Sequence, residues 1–256
     1  MSKLVLARVA ILIALIALWE FASGRLIQPY LISAPSAVAV ELADWFMDGS
    51  VFYHAGITAF EAFLGFFIGA VAGMALGVLL GRARKLSELI NPFIMGFYSI
   101  PKIALAPLFI IWFGIGIEMK VTLTATIVFF LVFLNTYSGV RSVSPELVNI
   151  MRLMGANESH VLRKVVIPSA IVWVFTGLRL SVPYAVIGAI VGEIIASNRG
   201  LGYLLSHASS QFDTAGVFAA LLVIISLSML LNAGVSLLAR VSMPWEKASQ
   251  NREVSI

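Results

Sequence analysis

Six apolar runs, each about as long as a membrane span, alternate along the chain with short polar segments. They cover residues 5–21, 59–80, 92–113, 121–140, 169–192 and 217–239. An α-helix needs about 20 apolar residues to cross the hydrocarbon core of a bilayer. The pattern therefore predicts an all-α membrane protein with about six transmembrane helices. The first run contains Arg8 and is followed by no clear small-x-small cleavage site, so we expect a span there and not a signal peptide.

The composition supports lipid as the solvent for most of the chain. Of 256 residues, 60% are hydrophobic and 12% are charged, whereas soluble domains are about half apolar and about a quarter charged. The absence of cysteine excludes disulfides and thiolate metal sites. The net charge is +4, but the basic residues lie between the apolar runs and not on one face, so no nucleic-acid partner is expected.

The positions of the basic residues predict the orientation of the chain, because cytoplasmic loops carry an excess of Lys and Arg. If the N-terminus is cytoplasmic, the outer segments hold Arg25, Lys120 and Arg199. The inner segments then hold most of the other basic residues: Lys3, Arg8, Arg82, Arg84, Lys85, Arg141, Arg152, Arg163, Lys164, Arg240, Lys247 and Arg252. We therefore expect both termini in the cytoplasm.

This orientation divides a single transmembrane domain into parts. Residues 1–57 are expected to form an N-terminal helix and an outer segment, and residues 58–240 the core helices. The core includes a charged cytoplasmic loop at 141–168, and residues 241–256 form a cytoplasmic tail.

The second run repeats glycine at every fourth position. The repeat comprises Gly65, Gly69, Gly73 and Gly77. At this spacing the glycines share one helix face, where another backbone can approach closely. We expect a helix-packing surface, and a surface on which helices slide during transport is the alternative.

Two cations interrupt the predicted spans, Lys102 between Pro101 and Pro107, and Arg179 four residues before Pro183. Charged residues within spans face a cavity or the bundle interior, and prolines free carbonyl groups that a water-lined pathway can satisfy. The alternative is that each cation lies near an interface and extends to water. The residues expected along a translocation pathway are Lys102, Arg179, Tyr184 and Glu193.

Catalytic and metal-binding patterns do not occur in the sequence. There is no Gly-x-Ser-x-Gly, His-Glu-x-x-His or phosphate-binding Gly-x-x-x-x-Gly-Lys-Ser/Thr motif, and the three histidines lack a second ligand at metal-binding spacing. No catalytic residue and no metal site are predicted. No Asp lies in any run, which disfavours a proton-driven carrier. If ATP drives transport, a separate polypeptide must hydrolyse it.

The cytoplasmic loop is predicted to contain two short helices. Ser144 is a suitable N-cap with Pro145 at the first helical position, Gly155 can end this helix, and Asn157 can cap a second one. The second helix is expected to run toward Lys164, before Pro168 redirects the chain into the fifth span. The first helix carries an apolar stripe, which either lies on the bilayer or docks on a partner. The stripe consists of Leu147, Ile150, Met151 and Met154.

This loop resembles the cytoplasmic signature loop of ABC importer permeases. In that family a Glu-Ala-Ala triplet is followed after three residues by Gly, and nine further residues lead to Ile-x-Leu-Pro. The corresponding positions here are Asn149, Ile150 and Met151, then Gly155, then residues 165–168. Asn149 replaces the family's Glu, and bulky residues replace its two Ala, which puts in doubt a charged contact at Asn149. The spacing, the Gly and the Pro are retained.

The resemblance extends over nearly the whole chain and looks closest to the branch of permeases for nitrate, sulfonates, taurine and bicarbonate. The matching segments are Trp19 with Glu20, SAPSAV at 33–38, the glycine-rich second run, IPKIALAPLFIIWFGIG at 100–116, TGLR at 176–179, and RGLGYL at 199–204. The branch is also similar to permeases for thiamine precursors and flavins.

The resemblance implies a type I importer permease in the cytoplasmic (inner) membrane, working by alternating access. A second permease copy, two ATP-binding cassette subunits that hold ATP and Mg, and a solute-binding protein would be its partners. The cargo would be a small anion such as a sulfonate, taurine or nitrate, or alternatively a heteroaromatic vitamin precursor. A secondary carrier is the weaker alternative. The residues that would couple to the ATPase are Glu146, Asn149, Ile150, Met151, Arg152, Gly155, Ala156 and Glu158.

Overall fold

The computed structural model describes residues 3–243, with Lys3 by its backbone only. Within this range the chain forms α-helices joined by turns, one 3₁₀ turn at Lys102–Leu105 and one π-helical segment at Leu162–Val166. The helices are α1 (Lys3–Ala22), α2 (Pro35–Met47), α3 (Ser50–Arg82), α4 (Arg84–Ser99), α5 (Ala106–Phe113), α6 (Ile117–Arg141), α7 (Pro145–Leu153), α8 (Glu158–Val161), α9 (Ile167–Ala196), α10 (Leu201–Ser210) and α11 (Thr214–Ser242). The predicted all-α class is confirmed. Lys247 and Arg252 of the expected tail lie outside the described residues.

Five helical segments in this range are long and apolar enough to cross a membrane. They are residues 4–22, 50–82, 117–141, 158–196 and 214–242. The pair formed by α4 and α5 meets the same criterion together, with a bend of 82° between its halves. Five or six spans agree with the six that the apolar runs predict.

The third apolar run, which we expected to form one span, is broken at Pro101. Proline has no N–H to donate and disfavours a helical conformation for the residue before it. Ile100 accordingly has an extended backbone, with φ −66° and ψ 128°. Pro92, by contrast, lies inside α4 without ending it.

The glycine face of α3 packs directly on α6. A β-carbon added to Gly73 would lie 2.7 Å from the backbone oxygen of Phe129, a separation that real β-carbons do not reach. In the contacts between the two helices, a higher residue number in α3 pairs with a higher one in α6, so α3 and α6 run parallel. The contacts are Gly65 with Thr124, Gly73 with Phe129, Gly77 with Thr136 and Gly81 with Val140.

Helix α9 packs on α6 through a second set of close contacts. In these contacts, a higher residue number in α6 pairs with a lower one in α9, so α9 is antiparallel to α6. The contacts are Gly139 with Trp173, Gly177 with Asn135, Gly188 with Thr124 and Gly192 with Lys120. Since α3 and α6 are parallel and both have the length of spans, the chain between them must return across the bilayer. Helices α4 and α5 therefore together form a broken sixth span.

The described residues divide into two compact units. Unit 1 contains residues from 1–58 and 193–227, and unit 2 contains residues from 59–192 and 228–256. In unit 1, the polar segment 194–216 contains α10.

Two of the sequence motifs meet in unit 1. The backbone N–H and the hydroxyl of Ser36 donate to the carboxylate of Glu20, at 3.0 and 2.7 Å. Trp19 beside it packs against the ring of Phe218, with 5.0 Å between ring centroids. These contacts tie the start of α2 and the start of α11 to the end of α1.

Candidate functional site

Helix α7 forms as its capping residues predict. The Ser144 side chain accepts a hydrogen bond from the backbone N–H of Leu147, and Pro145 occupies the first helical position. Gly155 has φ +83°, the left-handed conformation that glycine adopts without strain, and it follows the helix end. The Ser144 hydroxyl also donates to the carboxylate of Glu146, which lowers the pKa of that carboxyl.

The N-cap of the second short helix is also as predicted, but the path of the chain after that helix is not. Asn157 accepts a hydrogen bond of 2.9 Å from the backbone N–H of His160 and so starts α8. The π-helical segment then joins α8 to α9, and the helix is continuous over 158–196. The expectation that Pro168 redirects the chain is wrong. It lies in the first turn of α9, directly after the π-helical turn has shifted the backbone hydrogen bonds.

The predicted apolar stripe of α7 is split between two faces. Val148 and Met151 pack on a buried cluster that joins the loop to the spans and consists of Val140, Val161, Val166 and Ala170. Leu147, Ile150 and Met154 are exposed, together with Leu153. Leu153 and Met154 are 88% and 78% exposed. We call these four exposed residues the apolar ridge of α7.

The carboxylate of Glu158 joins three elements of unit 2. Its Oε1 accepts a hydrogen bond of 3.0 Å from Nε of Arg152, at the end of α7, and lies 2.9 Å from Nη2 of the same arginine. Its Oε2 pairs with Nη2 of Arg82, the last residue of α3, at 2.7 Å. Because Glu158 lies in the first turn of α8 and the arginines lie in last turns, each charge also complements its helix dipole.

The predicted coupling residues thus lie on or beside one small projection that α7 and α8 form. Ala156 packs on the same buried cluster as Met151, while Glu146 and Asn149 are exposed beside the apolar ridge. Arg82 belongs to this surface and was missed. The only indication of this role in the sequence is that Arg82 is a basic residue at the predicted cytoplasmic end of a span.

The predicted pathway residues in unit 2 do not form one site. Lys102 Nζ donates to three backbone carbonyls of its own bend. Arg179 is half-buried, and its Nε has no hydrogen-bond partner among the described residues. Tyr184, on the same helix, is 48% exposed. No hydrogen bond or ion pair links these three side chains in the part of the chain that the structure describes.

Glu193 belongs to a buried network in unit 1. Its Oε1 accepts a hydrogen bond of 2.7 Å from the Thr58 hydroxyl, and its Oε2 accepts one of 2.6 Å from the N–H of Gly202. Thr58 Oγ1 also accepts from the N–H of Leu201 at 2.8 Å. These contacts satisfy backbone N–H groups at the start of α10. Thr58 was missed as well, because nothing in the sequence links it to a glutamate 135 positions away.

Comparisons with known proteins found a matching family, similar relatives and a similar solved structure. A family model described as binding-protein-dependent transport system inner membrane component matches residues 65–244. The chain is 34% identical to the formylaminopyrimidine transport permease protein ThiX of Halalkalibacterium halodurans, over 91% of this chain and 93% of that protein. It is 29% identical to the putative aliphatic sulfonates transport permease protein SsuC of Bacillus subtilis, over 91% and 85%. Its fold is similar to a chain of the inward-facing MetNI methionine ABC transporter, with a TM-score of 0.65, 21% identity, and coverage of 77% and 96%.

Proposed function

Because the chain belongs to the family of binding-protein-dependent transport system inner membrane components, we propose that it works as a homodimer with two ATPase subunits and a solute-binding protein. The chain is a multi-pass permease of the inner membrane and the non-catalytic part of an ABC transporter. In the proposed assembly, ATP with Mg²⁺ would bind and be hydrolysed on the partner ATPases. The permease pair would carry the cargo by alternating access.

The observation that carries the ATPase contact is the apolar ridge of α7. Its four large side chains lie outside the spans, on a helix whose other apolar face is already packed. An amphipathic helix that lies on a bilayer carries many Lys and Arg on its polar face. Helix α7 instead presents Glu146 and Asn149, and its Arg152 is paired with Glu158. A protein partner fits this surface better than a membrane does.

The projection is connected to the membrane-spanning helices in a way that would transmit its movement to them. The projection continues through the π-helical segment into α9, and the Glu158 ion pair ties it to the end of α3. Both of these helices pack closely on α6. A displacement of the projection by a closing ATPase pair would therefore act on α9 and α3 together.

Charge substitution on the ridge tests this contact. We expect Leu153→Asp with Met154→Asp to abolish co-purification of the ATPase subunits, because a buried unpaired carboxylate is strongly unfavourable in an interface. Phe212→Asp is the matched control, since Phe212 is 76% exposed and lies on the predicted outer side. Co-purification at the stoichiometry of the unaltered protein would contradict the assignment. Native mass spectrometry of the same complex tests the homodimer, and a single permease copy or two different permeases would contradict it.

For the cargo, the charges favour a small heteroaromatic compound of the aminopyrimidine class. The resemblance implied an anion, which the two cations within the spans could attract, but the ammonium of Lys102 is occupied by three carbonyls. The similarity to ThiX supports the heteroaromatic class. An aliphatic sulfonate is the second candidate, favoured by the unpartnered Nε of Arg179 and by the similarity to SsuC.

Transport by the complete complex in proteoliposomes separates the two candidates. We expect uptake of formylaminopyrimidine and not of an aliphatic sulfonate, with little change in Arg179→Gln. Uptake of the sulfonate that is lost in Arg179→Gln would support the second candidate and reject the first. Uptake of neither compound would reject both cargo assignments and leave the ATPase contact to its own test.

A further inference from the structure

The bend between α4 and α5 leaves backbone carbonyls without helical partners. Pro101 has no N–H, so the carbonyl of Phe97 loses its donor four residues later, and the one backbone hydrogen bond it accepts is a long one of 3.4 Å from the N–H of Ile100. The carbonyl of Tyr98 lacks the helical donor because the chain has turned away, and the carbonyl of Ile100 precedes the proline. In a membrane span such groups are costly unless another group satisfies them.

The side chain of Lys102 satisfies all three carbonyls. Its Nζ lies 3.0 Å from the oxygen of Phe97, 2.6 Å from that of Tyr98 and 2.7 Å from that of Ile100. An ammonium group has three protons and no acceptor, so donors and acceptors match in number. The carbonyl end of a helix also carries partial negative charge, which favours a cation there.

Two aromatic rings complete the surroundings of this ammonium. Nζ lies 4.5 Å from the ring centroid of Phe130 and 5.3 Å from that of Tyr98, within the range of cation–π attraction. Tyr98 lies in the last turn of α4, next to the bend, whereas Phe130 belongs to α6. The contact with Phe130 therefore attaches the bend to the helix on which α3 and α9 also pack.

We propose that the three carbonyls and two rings form a primary-ammonium site that the chain fills with its own Lys102, and that this tethered cation fixes the bend of the third span. Lys102 is thus a positioning residue, and it does not bind cargo. A lysine that merely extends to water would donate its hydrogen bonds to solvent, whereas here it donates them to the three carbonyls. Transport then depends on Lys102 through the position of α4 and α5.

Chemical rescue tests the site in the complete transporter. We expect Lys102→Ala to lower the maximal transport rate by about tenfold or more, the loss of one charged hydrogen-bonding group, with little change in KM. Methylammonium at millimolar concentration should restore much of the rate, because it offers the same charge and N–H donors. Tetramethylammonium, which has the charge but no N–H, should not. Lys102→Arg should retain more activity than Lys102→Ala, since a guanidinium also donates to carbonyls.

Two results would overturn the proposal. One is a Lys102→Ala transporter whose KM for the cargo rises while its maximal rate is unchanged, which would make Lys102 a cargo-binding group. The other is equal rescue, or equal failure of rescue, by methylammonium and tetramethylammonium.

A distance measurement keeps the test decisive if Lys102→Ala does not assemble. Spin labels at Phe93 and Ile111, both well exposed and on opposite sides of the bend, report the angle between α4 and α5. In Lys102→Met, which keeps most of the side-chain volume, we expect a changed and broader distance distribution. An unchanged distribution would reject Lys102 as the group that fixes the bend.

Discussion

The carboxylate of Glu61 and the ammonium of Lys120 form an ion pair of 2.7 Å in the interior of unit 2. The two side chains are only 2% and 4% exposed. Lys120 was expected in an outer segment, but it lies in the first turn of α6, where α3 supplies Glu61 and α9 supplies the close contact of Gly192. A buried pair of this kind is costly to break from one side, since the remaining charge loses its counterion in a medium of low dielectric constant.

Substitution of each partner alone and of both together should reveal this asymmetry. We expect Glu61→Leu or Lys120→Met to lower the free energy of unfolding by about 3–5 kcal/mol, and the double variant to recover most of the loss. Thermal unfolding of the purified protein in detergent measures the three variants. A double variant as unstable as the sum of the single ones would argue against the coupling of these two charges.

Two glycines of α3 should respond to alanine with opposite signs. Gly56 has open space around its α-carbon, whereas a β-carbon on Gly73 would meet the backbone of α6. Alanine favours a helix over glycine by about 1 kcal/mol, so Gly56→Ala should be neutral or stabilising. Gly73→Ala should be destabilising despite the same gain in helix propensity, because a backbone cannot move aside as a flexible side chain can. Melting temperatures that change equally in both variants would contradict the close packing of α3 on α6.

Gly200, in the turn before α10, and Gly49, directly before α3, form a second matched pair of glycines. Gly200 and Gly49 both have positive φ, at +101° and +78°, but only at Gly200 would a β-carbon overlap the carboxylate of Glu193. Gly49→Ala should therefore cost only the backbone strain, about 1–2 kcal/mol. Gly200→Ala should cost more and should release the N–H of Gly200 from Nδ1 of His54. Hydrogen exchange at the start of α10 measures this release, and protection equal to that of Gly49→Ala would count against the network around Glu193.

Loss of the Glu158 carboxylate should affect coupling more than stability. Glu158 and Arg82 are 60% and 32% exposed, and exposed ion pairs contribute about 0–1 kcal/mol. We therefore expect Glu158→Gln to shift the melting temperature little, and to reduce the stimulation of ATP hydrolysis by the loaded binding protein. Glu88→Gln is the control, because Glu88 forms an exposed pair with Arg84 within α4 alone. Equal stimulation in both variants would remove Glu158 from the route between the projection and α3.

Features that depend on neighbouring residues could be predicted from the sequence. Ser144, Gly155 and Asn157 act on helix ends within three or four positions, so both ends of the first short helix and the start of the second were predicted correctly. The break at Pro101 has the same local cause, and the sequence contained enough to predict it. It was missed because the apolar run continues on both sides of the proline.

Features that depend on distant residues could not be predicted in this way. The partners of Glu158 and Glu193 include residues 76 and 135 positions away. The face that α7 buries depends on where α8 and the ends of the spans lie, and periodicity alone assigned Met151 and Met154 to the same side. The three carbonyls around Lys102 are close in sequence, but only the bend turns them toward one atom.

The sequence by itself determined the membrane character of this protein, its number of spans and the caps of its cytoplasmic loop, because hydropathy and helix capping act over a few residues at a time. The tertiary structure alone decided which charges pair, which face of α7 stays open, and which groups the ammonium of Lys102 contacts. These depend on contacts between separate helices, and the packing of glycine faces on α6 sets which helices meet.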